Sequence, residues 1–213
     1  MEPEIEATIN RLNSVNFSPD PIAGRHFSRI VSVMSSAYKR HGFILEKAIL
    51  HQLKKCSRFV VWDDHEFQVP ANADLLANGS LSAPTTIIGN QVNYGPGTRT
   101  LQVDVIVYDK EEKSLRAYEI KRGFGLHDAG KRRSMLRDTL CLNVLLKSYG
   151  EQRGFDVKDS AARVIFYYGK RSIPPQFSLI GSELDQHFSW PVYAAVEEVN
   201  DLFRQRLFSI LAT

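Results

Sequence analysis

Residues 101–121 read LQVDVIVYDKEEKSLRAYEIK, two runs with strand-like alternation on either side of a short polar stretch. Because successive side chains of a strand point to opposite faces of a sheet, this pattern predicts a β-hairpin. A tight turn at Glu111 and Glu112 brings Asp104 roughly opposite Glu119, and a slip of a residue or two is the alternative register. Opposed carboxylates repel each other across a strand pair, so this placement requires a compensating partner.

The faces of the predicted hairpin differ in chemistry. In the first strand, alternation puts Leu101, Val103, Val105 and Val107 on one face and Gln102, Asp104, Ile106 and Tyr108 on the other. In the second strand, one face carries Leu115, Ala117, Glu119 and Lys121. Two carboxylates on a largely apolar sheet raise their pKa, pair with a base or bind a cation. Lys121 is positioned to pair with one of them.

A divalent cation accounts for Asp104 and Glu119 better than an ion pair alone. Mg²⁺ is held by one or two carboxylates, and waters and phosphate oxygens complete its coordination. The two cysteines and six histidines show no metal-ligand spacing, and oxygen donors without them favour hard cations such as Mg²⁺ or Mn²⁺. The alternative is a structural ion-pair network, or a hairpin face turned to solvent, in which these residues do no chemistry.

The rest of the chain predicts helices on either side of this hairpin. The pattern indicates helices over 3–13, from Asp20 and Pro21 to about Arg40, and, after a break at Gly42, through HGFILEKAILHQLKK. It then indicates a strand in SRFVVWDD, a loop-rich segment 65–100 with short strands, a helix over 128–149, a strand in ARVIFYYG and a helix over 192–211. The order from the third helix onward is α-β-β-β-α-β-α, which predicts an α/β fold with a central mixed β-sheet flanked by helices.

Composition indicates one soluble unit. With 213 residues, of which 43% are hydrophobic, the chain is long enough for one domain over 1–213, including an N-terminal helical segment 1–41. No run approaches the roughly 18 apolar residues of a membrane span, and the start of the chain, MEPEIEATINRL, does not resemble a signal peptide. We therefore expect a cytoplasmic protein with reduced cysteines and no membrane partner. The formal charge of +3 permits an anionic partner.

Asp104, followed after a turn by Glu119-Ile120-Lys121, resembles the motif of the PD-(D/E)xK nuclease superfamily, which has the restriction-endonuclease-like fold. The resemblance covers roughly residues 42–168, including the order of elements, but Val103 stands where the family name has proline. It implies Mg²⁺-dependent cleavage of phosphodiester bonds, usually in DNA, with Mn²⁺ able to replace Mg²⁺. The implied metal ligands are Asp104, Glu119 and the Ile120 carbonyl, and Lys121 is the implied catalytic lysine.

Many members of this superfamily also place a glutamate on the helix before the sheet. Glu46 fits that position, since it shares a helical face with Ile49, Leu50 and Leu53. A carboxylate that leans toward an apolar face needs a partner, which makes Glu46 a fourth candidate catalytic residue. The alternative is that Glu46 lies at the edge of the apolar stripe and is solvated.

Basic side chains near the motif are candidates for binding a nucleic-acid backbone. They are Arg122, Lys131, Arg132, Arg133 and Arg137. Four of them fall in the first turns of a predicted helix, where the helix dipole disfavours cations and a phosphate would compensate. The alternative is a solvated face paired with Asp128 and Asp138. Five amides, Asn72, Asn78, Asn90, Gln91 and Asn93, are either base-reading groups or ordinary turn residues.

These observations predict a Mg²⁺-dependent DNA endonuclease of restriction type. The alternatives are a nuclease of the same fold that acts in repair, recombination, transposon-end processing or phage defence, and a nucleic-acid-binding module without catalysis. One metal site of this kind cuts one strand, so a homodimer is expected on duplex DNA. The apolar stripe of the last helix either docks on its own sheet, the commoner outcome, or faces a partner; it consists of Val192, Val196, Val199, Phe203, Leu207 and Ile210.

Overall fold

A five-stranded mixed sheet forms the centre of the computed structural model, which describes residues 1–14 and 18–212. The helices are α1 (Glu2–Ser14), α2 (Gly24–Lys54), α3 (Ala71–Gly79), α4 (Ala129–Gln152), α5 (Leu184–Phe188) and α6 (Val192–Leu211). The strands are β1 (Phe59–Val69), β2 (Arg99–Asp109), β3 (Ser114–Lys121), β4 (Asp159–Phe166) and β5 (Ser178–Ile180). Short 3₁₀ helices span Pro84–Ile87, Pro175–Phe177 and Gly181–Glu183. The predicted α/β fold with a central mixed sheet flanked by helices is confirmed.

The strands lie in the order β1-β2-β3-β4-β5. The first three are antiparallel neighbours, whereas β4 runs parallel to both β3 and β5. In the β2–β3 hairpin Val105 pairs with Tyr118 and Asp109 with Ser114, which is the register predicted from a turn at Glu111 and Glu112. Asp104 and Glu119 are the next residues beyond the last pair of this ladder.

Helices cover both faces of the sheet. Against one face pack α3 and α4, and the buried strand residues there include Val103, Ile106, Leu115 and Ala117. Against the other pack α2, α5 and α6, with Val105, Val107, Tyr118 and Ile120 buried beneath them. A third cluster joins α1 to α2 and α6. Helices α2 and α4 therefore approach the hairpin from opposite sides of the sheet.

The alternation predicted for β2 breaks at Asp104. Val103 belongs to the core under α4, together with Ile106, whereas Val105 lies in the core under α2. The pairing with β1 shifts register at the same place, where Trp62 pairs with Ile106 but Asp64 with Val103. An extra residue in one strand of a pair reverses the faces of the residues that follow it. Placing Val103 and Val105 on one face was therefore wrong.

The predicted helix break at Gly42 is also wrong, because α2 continues through it. A glycine inside a helix costs about 0.5 to 1 kcal/mol, which the apolar residues on either side outweigh by packing. Val33 and Ala37 before it, and Ile44 and Leu45 after it, are all buried. Asp20 caps the turn that precedes the helix, with its carboxylate accepting from the amides at positions 22 and 23, and the helix itself begins at Gly24.

The loop-rich segment 65–100 contains more regular structure than predicted. Strand β1 extends to Val69, α3 follows directly and β2 begins at Arg99, so the strand residues of this segment are the ends of two long strands and not separate short ones. Ala73 and Ala77 of α3 are completely buried against α4. The short elements β5 and α5 were likewise not predicted from the sequence.

The apolar stripe of α6 packs within its own chain. Val192 and Val196 are fully buried against the sheet, and Phe203, Leu207 and Ile210 pack against α1 and α2. This is the docking expected as the commoner outcome. Among the helices of the described residues, none combines the length and the apolar character needed to cross a membrane.

Asp109 closes the hairpin and gives a test of its stability. Its Oδ2 accepts from Arg58, and its Oδ1 accepts from the amides of Glu111 and Glu112 at 3.0 and 3.2 Å. We expect Asp109→Ala to lower the free energy of unfolding by about 2 to 3 kcal/mol, because it removes a charge-assisted bond to Arg58 and the acceptor of two turn amides. Asp109→Asn, which keeps an acceptor for the turn, should cost less. Urea denaturation monitored by circular dichroism measures both.

The Asp109 carboxylate should also make the free energy of unfolding depend on pH in the acid range. Burial raises the pKa of Asp109, but the hydrogen bond from Arg58 and those from the turn amides outweigh it and leave the pKa below its usual value. A lowered folded-state pKa adds stability above the unfolded-state value of about 3.9, and this stability is lost as the pH falls through the folded-state value. Asp109→Asn should remove that part of the acid dependence; an unchanged acid limb would contradict the role of this contact.

Candidate catalytic site

The motif residues meet where β3 ends. The Asp104 carboxylate accepts a hydrogen bond from the Ile120 amide at 2.7 Å, so it reaches across to the partner strand just beyond the last ladder pair. The ammonium of Lys121 lies 2.7 Å from Oε1 of Glu119, and the two side chains are 29% and 28% exposed. Asp104, Glu119 and Lys121 therefore lie together at the edge of the core, accessible to a ligand.

Glu46 reaches the same place from α2. It is partly buried on the helix that packs over Val105, Tyr118 and Ile120. Burial and, next, the charge of Asp104 raise the pKa of Glu46 to about 7, against the opposing effect of Lys121. Glu46 on α2 therefore lies within electrostatic reach of Asp104 and Lys121.

Negative charge is in excess at this site. Burial raises the pKa of Asp104, although the Ile120 amide and Lys121 work in the opposite direction. For Lys121, burial favours a lower pKa, but Glu119, Asp104 and Glu46 together raise it. The lysine is therefore an ammonium at neutral pH. Glu46, Asp104 and Glu119 all act on this one ammonium, so the surroundings of Lys121 are acidic and favour a further cation.

The donor chemistry of the site suits a hard cation. Its side-chain ligand atoms are the carboxylate oxygens of Asp104 and Glu119, and hard divalent cations such as Mg²⁺ prefer oxygen ligands. Within residues 1–14 and 18–212, no group of three or more Cys, His, Asp or Glu side chains is arranged to hold a metal. A cation held by Asp104 and Glu119 would therefore take its remaining ligands from backbone, water and substrate oxygens.

Two histidines approach the site, and the sequence did not single them out as members of it. His127 bonds Oγ of Ser172 through Nδ1 at 2.9 Å; burial, with the charges of Lys131 and Lys121, lowers its pKa, so it is neutral at pH 7. His65, on β1, lies within electrostatic reach of Asp104. The position of His127 depends on the loop that carries Ser172, which no local pattern indicates.

The start of α4 presents the basic side chains beside an open cleft. Lys131, Arg132 and Arg133 are exposed, and in the described part of the chain the two arginines form no ion pair. Both line a cleft of about 510 Å³ that also includes Asn78 and Ser172. Since Ser172 contacts His127, whose pKa responds to Lys121 and Glu119, this cleft adjoins the carboxylate group.

The other two basic candidates already have partners. Arg137 lies 3.3 Å from Asp138 and 3.8 Å from Asp74, in a network that joins α4 to α3. The paired alternative considered for this helix therefore holds for Arg137. Arg122 lies against aromatic rings, with its guanidinium 4.8 Å from the ring of Tyr38.

Three of the five amides bond to nearby backbone. Asn72 accepts from the amide of Ala73, and Asn78 and Asn90 donate to the carbonyls of Asp74 and Thr86. Local bonds of this kind are what Asn supplies in turns and helix ends. The structural alternative therefore accounts for these three, and base reading has no support from them.

Comparisons with models of protein families, with curated proteins and with solved structures gave no match. The assignment of chemistry to this site therefore depends on its residues and their geometry.

The electrostatic effects of Asp104 and Lys121 can be measured through the pKa of Glu46. Asp104→Asn should lower the pKa of Glu46 below about 7, because it removes a nearby negative charge, and Lys121→Met should raise it, because it removes the compensating cation. The carboxyl ¹³C chemical shift of Glu46, followed by NMR against pH, reports both changes. Lys158→Met, at the far end of β4, is the matched control. Equal titration curves in all four proteins would show that Glu46 lies apart from the group.

Proposed function

We propose that this protein is a Mg²⁺-dependent DNA endonuclease with a restriction-endonuclease-like fold. The observation that carries the proposal is that Asp104 bonds the backbone between Glu119 and Lys121, which form an ion pair within electrostatic reach of Glu46 on α2. An ion-pair network that served stability alone would not require three carboxylates around one lysine, because the excess charge opposes folding. A site for a cation and a phosphate does require it.

Asp104, Glu119 and the Ile120 carbonyl would hold the cation, with Mn²⁺ able to replace Mg²⁺. When bound, it supplies positive charge at the phosphate and lowers the pKa of water. The excess negative charge of the carboxylates supports this assignment.

Lys121 and Glu46 have complementary roles in this proposal. The ammonium of Lys121, now 2.7 Å from Glu119, donates to a phosphoryl oxygen and stabilises the charge that develops there. Glu46, with a pKa of about 7, accepts the proton of the attacking water at neutral pH. Attack in line with the leaving 3′ oxygen then breaks the phosphodiester bond.

The unpaired arginines of the cleft suit the substrate. Arg132 and Arg133 lie on the surface next to the site, where two guanidinium groups would neutralise backbone phosphates. Concerted cleavage of both strands would use two copies of the chain. Since the stripe of α6 is buried within its own chain, a dimer would form through another surface.

Removal of Lys121 separates catalysis from binding. We expect Lys121→Ala to slow cleavage of supercoiled plasmid about 100- to 1,000-fold in Mg²⁺, as for the loss of one donor to a developing oxyanion, while duplex affinity changes little. Gel assays give the rate, and fluorescence anisotropy in Ca²⁺ gives the affinity. Lys158→Ala is the control. If Lys121→Ala cleaves like the wild type, the nuclease proposal is wrong; if no variant and no wild type cleaves but all bind, the chain is a binding module.

Removal of Arg132 and Arg133 should act on binding alone. Each backbone phosphate that is no longer neutralised should reduce the slope of log K against log salt by about 0.9 on duplex DNA, so the double alanine variant should lose close to two units of slope. Anisotropy titrations between low and moderate salt measure it, again with Lys158→Ala as the control. A slope equal to that of the wild type would place the DNA elsewhere on the molecule.

A further inference from the structure

Beside the candidate site, the chain exposes a group of flat side chains that we call the ring surface: Tyr38, Arg122, Phe124 and Tyr168. The three rings are 49%, 75% and 39% exposed, respectively. The guanidinium of Arg122 lies 4.8 Å from the ring centre of Tyr38 and 5.6 Å from that of Tyr168. Phe124 meets Tyr168 edge-on at 6.2 Å. Apolar surface of this kind, left open to water, marks a binding surface.

The ring surface begins where the candidate site ends. Arg122 follows Lys121 directly, and its carbonyl accepts from the amide of Tyr168 at 2.7 Å, which extends the β3–β4 pairing by one step. Gly123 then turns the chain with φ of +63°, and a Cβ there would lie 2.7 Å from Phe166. This turn directs Phe124 away from the core and onto the surface.

Buried contacts hold the ring surface in place. Arg122 Nε donates to Nδ1 of His41 at 3.2 Å, and the other ring nitrogen of His41 bonds Asn200 at 2.9 Å. His41 is 6% exposed and stacks on Tyr168. Arg122 is thus fixed by a neutral acceptor and by rings, and no carboxylate of the described residues pairs with it. Its charge remains available to a ligand.

Nucleic-acid bases are the ligands that fit flat rings around a guanidinium. Bases stack on aromatic faces and on arginine planes, largely without regard to sequence. In a duplex these faces are covered by neighbouring bases, so only unpaired bases can use them. We propose that the ring surface binds unpaired bases next to the phosphate that is cleaved, so that the substrate is a nucleic acid with a single-stranded segment. This inference rests on the proposed function and narrows its substrate.

Binding measurements without divalent cation test the ring surface apart from cleavage. The probe is a fluorescent oligothymidylate of about 12 nucleotides, compared with a duplex and with an abasic strand of equal length. Phe124→Ala should weaken binding of oligothymidylate about tenfold, Phe124→Trp should retain it, and Phe124→Leu should resemble the alanine variant. Neither the duplex nor the abasic strand should distinguish these proteins. Leu126→Ala, which removes an exposed apolar neighbour, is the control.

Several results would overturn the inference. These are no binding of oligothymidylate by the wild type, equal affinities for wild type and Phe124→Ala, or an equal loss on the abasic strand. Loss of self-association in place of loss of affinity would assign the ring surface to a second copy of the chain. Cleavage without any dependence on Phe124 would refute the ring surface and leave the nuclease proposal intact. Binding that depends on Phe124, without any cleavage in Mg²⁺, would support the ring surface and refute the nuclease proposal.

Discussion

The carboxylate of Asp104 accepts a hydrogen bond from the Ile120 amide, and this contact joins the two strands of the hairpin at the point where their ladder stops. The extra residue in β2 makes the contact possible, since it interrupts the regular alternation at Asp104. Because the bond ends in the backbone between Glu119 and Lys121, it holds both of their positions relative to Asp104. The Asp104 side chain therefore takes the place of a main-chain acceptor for the Ile120 amide, and this contact sets the geometry of the candidate site.

The remaining charges are arranged around that contact at a cost to stability. Burial raises the pKa of Glu46 to about 7, and the negative charge of Asp104 adds to this effect while Lys121 opposes it. The fold supplies the compensation from other elements: apolar residues of α2 pack on the sheet beneath Glu46, and α4 carries cations nearby. Natural proteins tolerate such local cost where a ligand is bound.

The sequence was sufficient for the features that local patterns determine. The alternation in 101–121 and its short polar turn predicted the hairpin and its register, and helical spacing predicted α4 and α6. Long-range packing determined the rest. The continuity of α2 at Gly42, the burial of α3, the reversed faces at Asp104 and the position of His127 all depend on residues distant in the chain. The carboxylates of the candidate site were predictable because they interrupt an apolar pattern, whereas the rings around Arg122 interrupt none.

Because α2 runs unbroken through Gly42, the number of residues in its middle is constrained. Its first half is anchored on α1 and α6 through Val33 and Ala37, and its second half carries Glu46. Each residue of a helix advances the direction of its side chains by about 100°. A single insertion or deletion between Ala37 and Glu46 would therefore rotate the half that packs on α1 and α6 relative to the half that packs on the sheet, while seven residues, close to two turns, would restore their relative direction. Helical phase, more than the identity of the intervening residues, limits how this segment can vary.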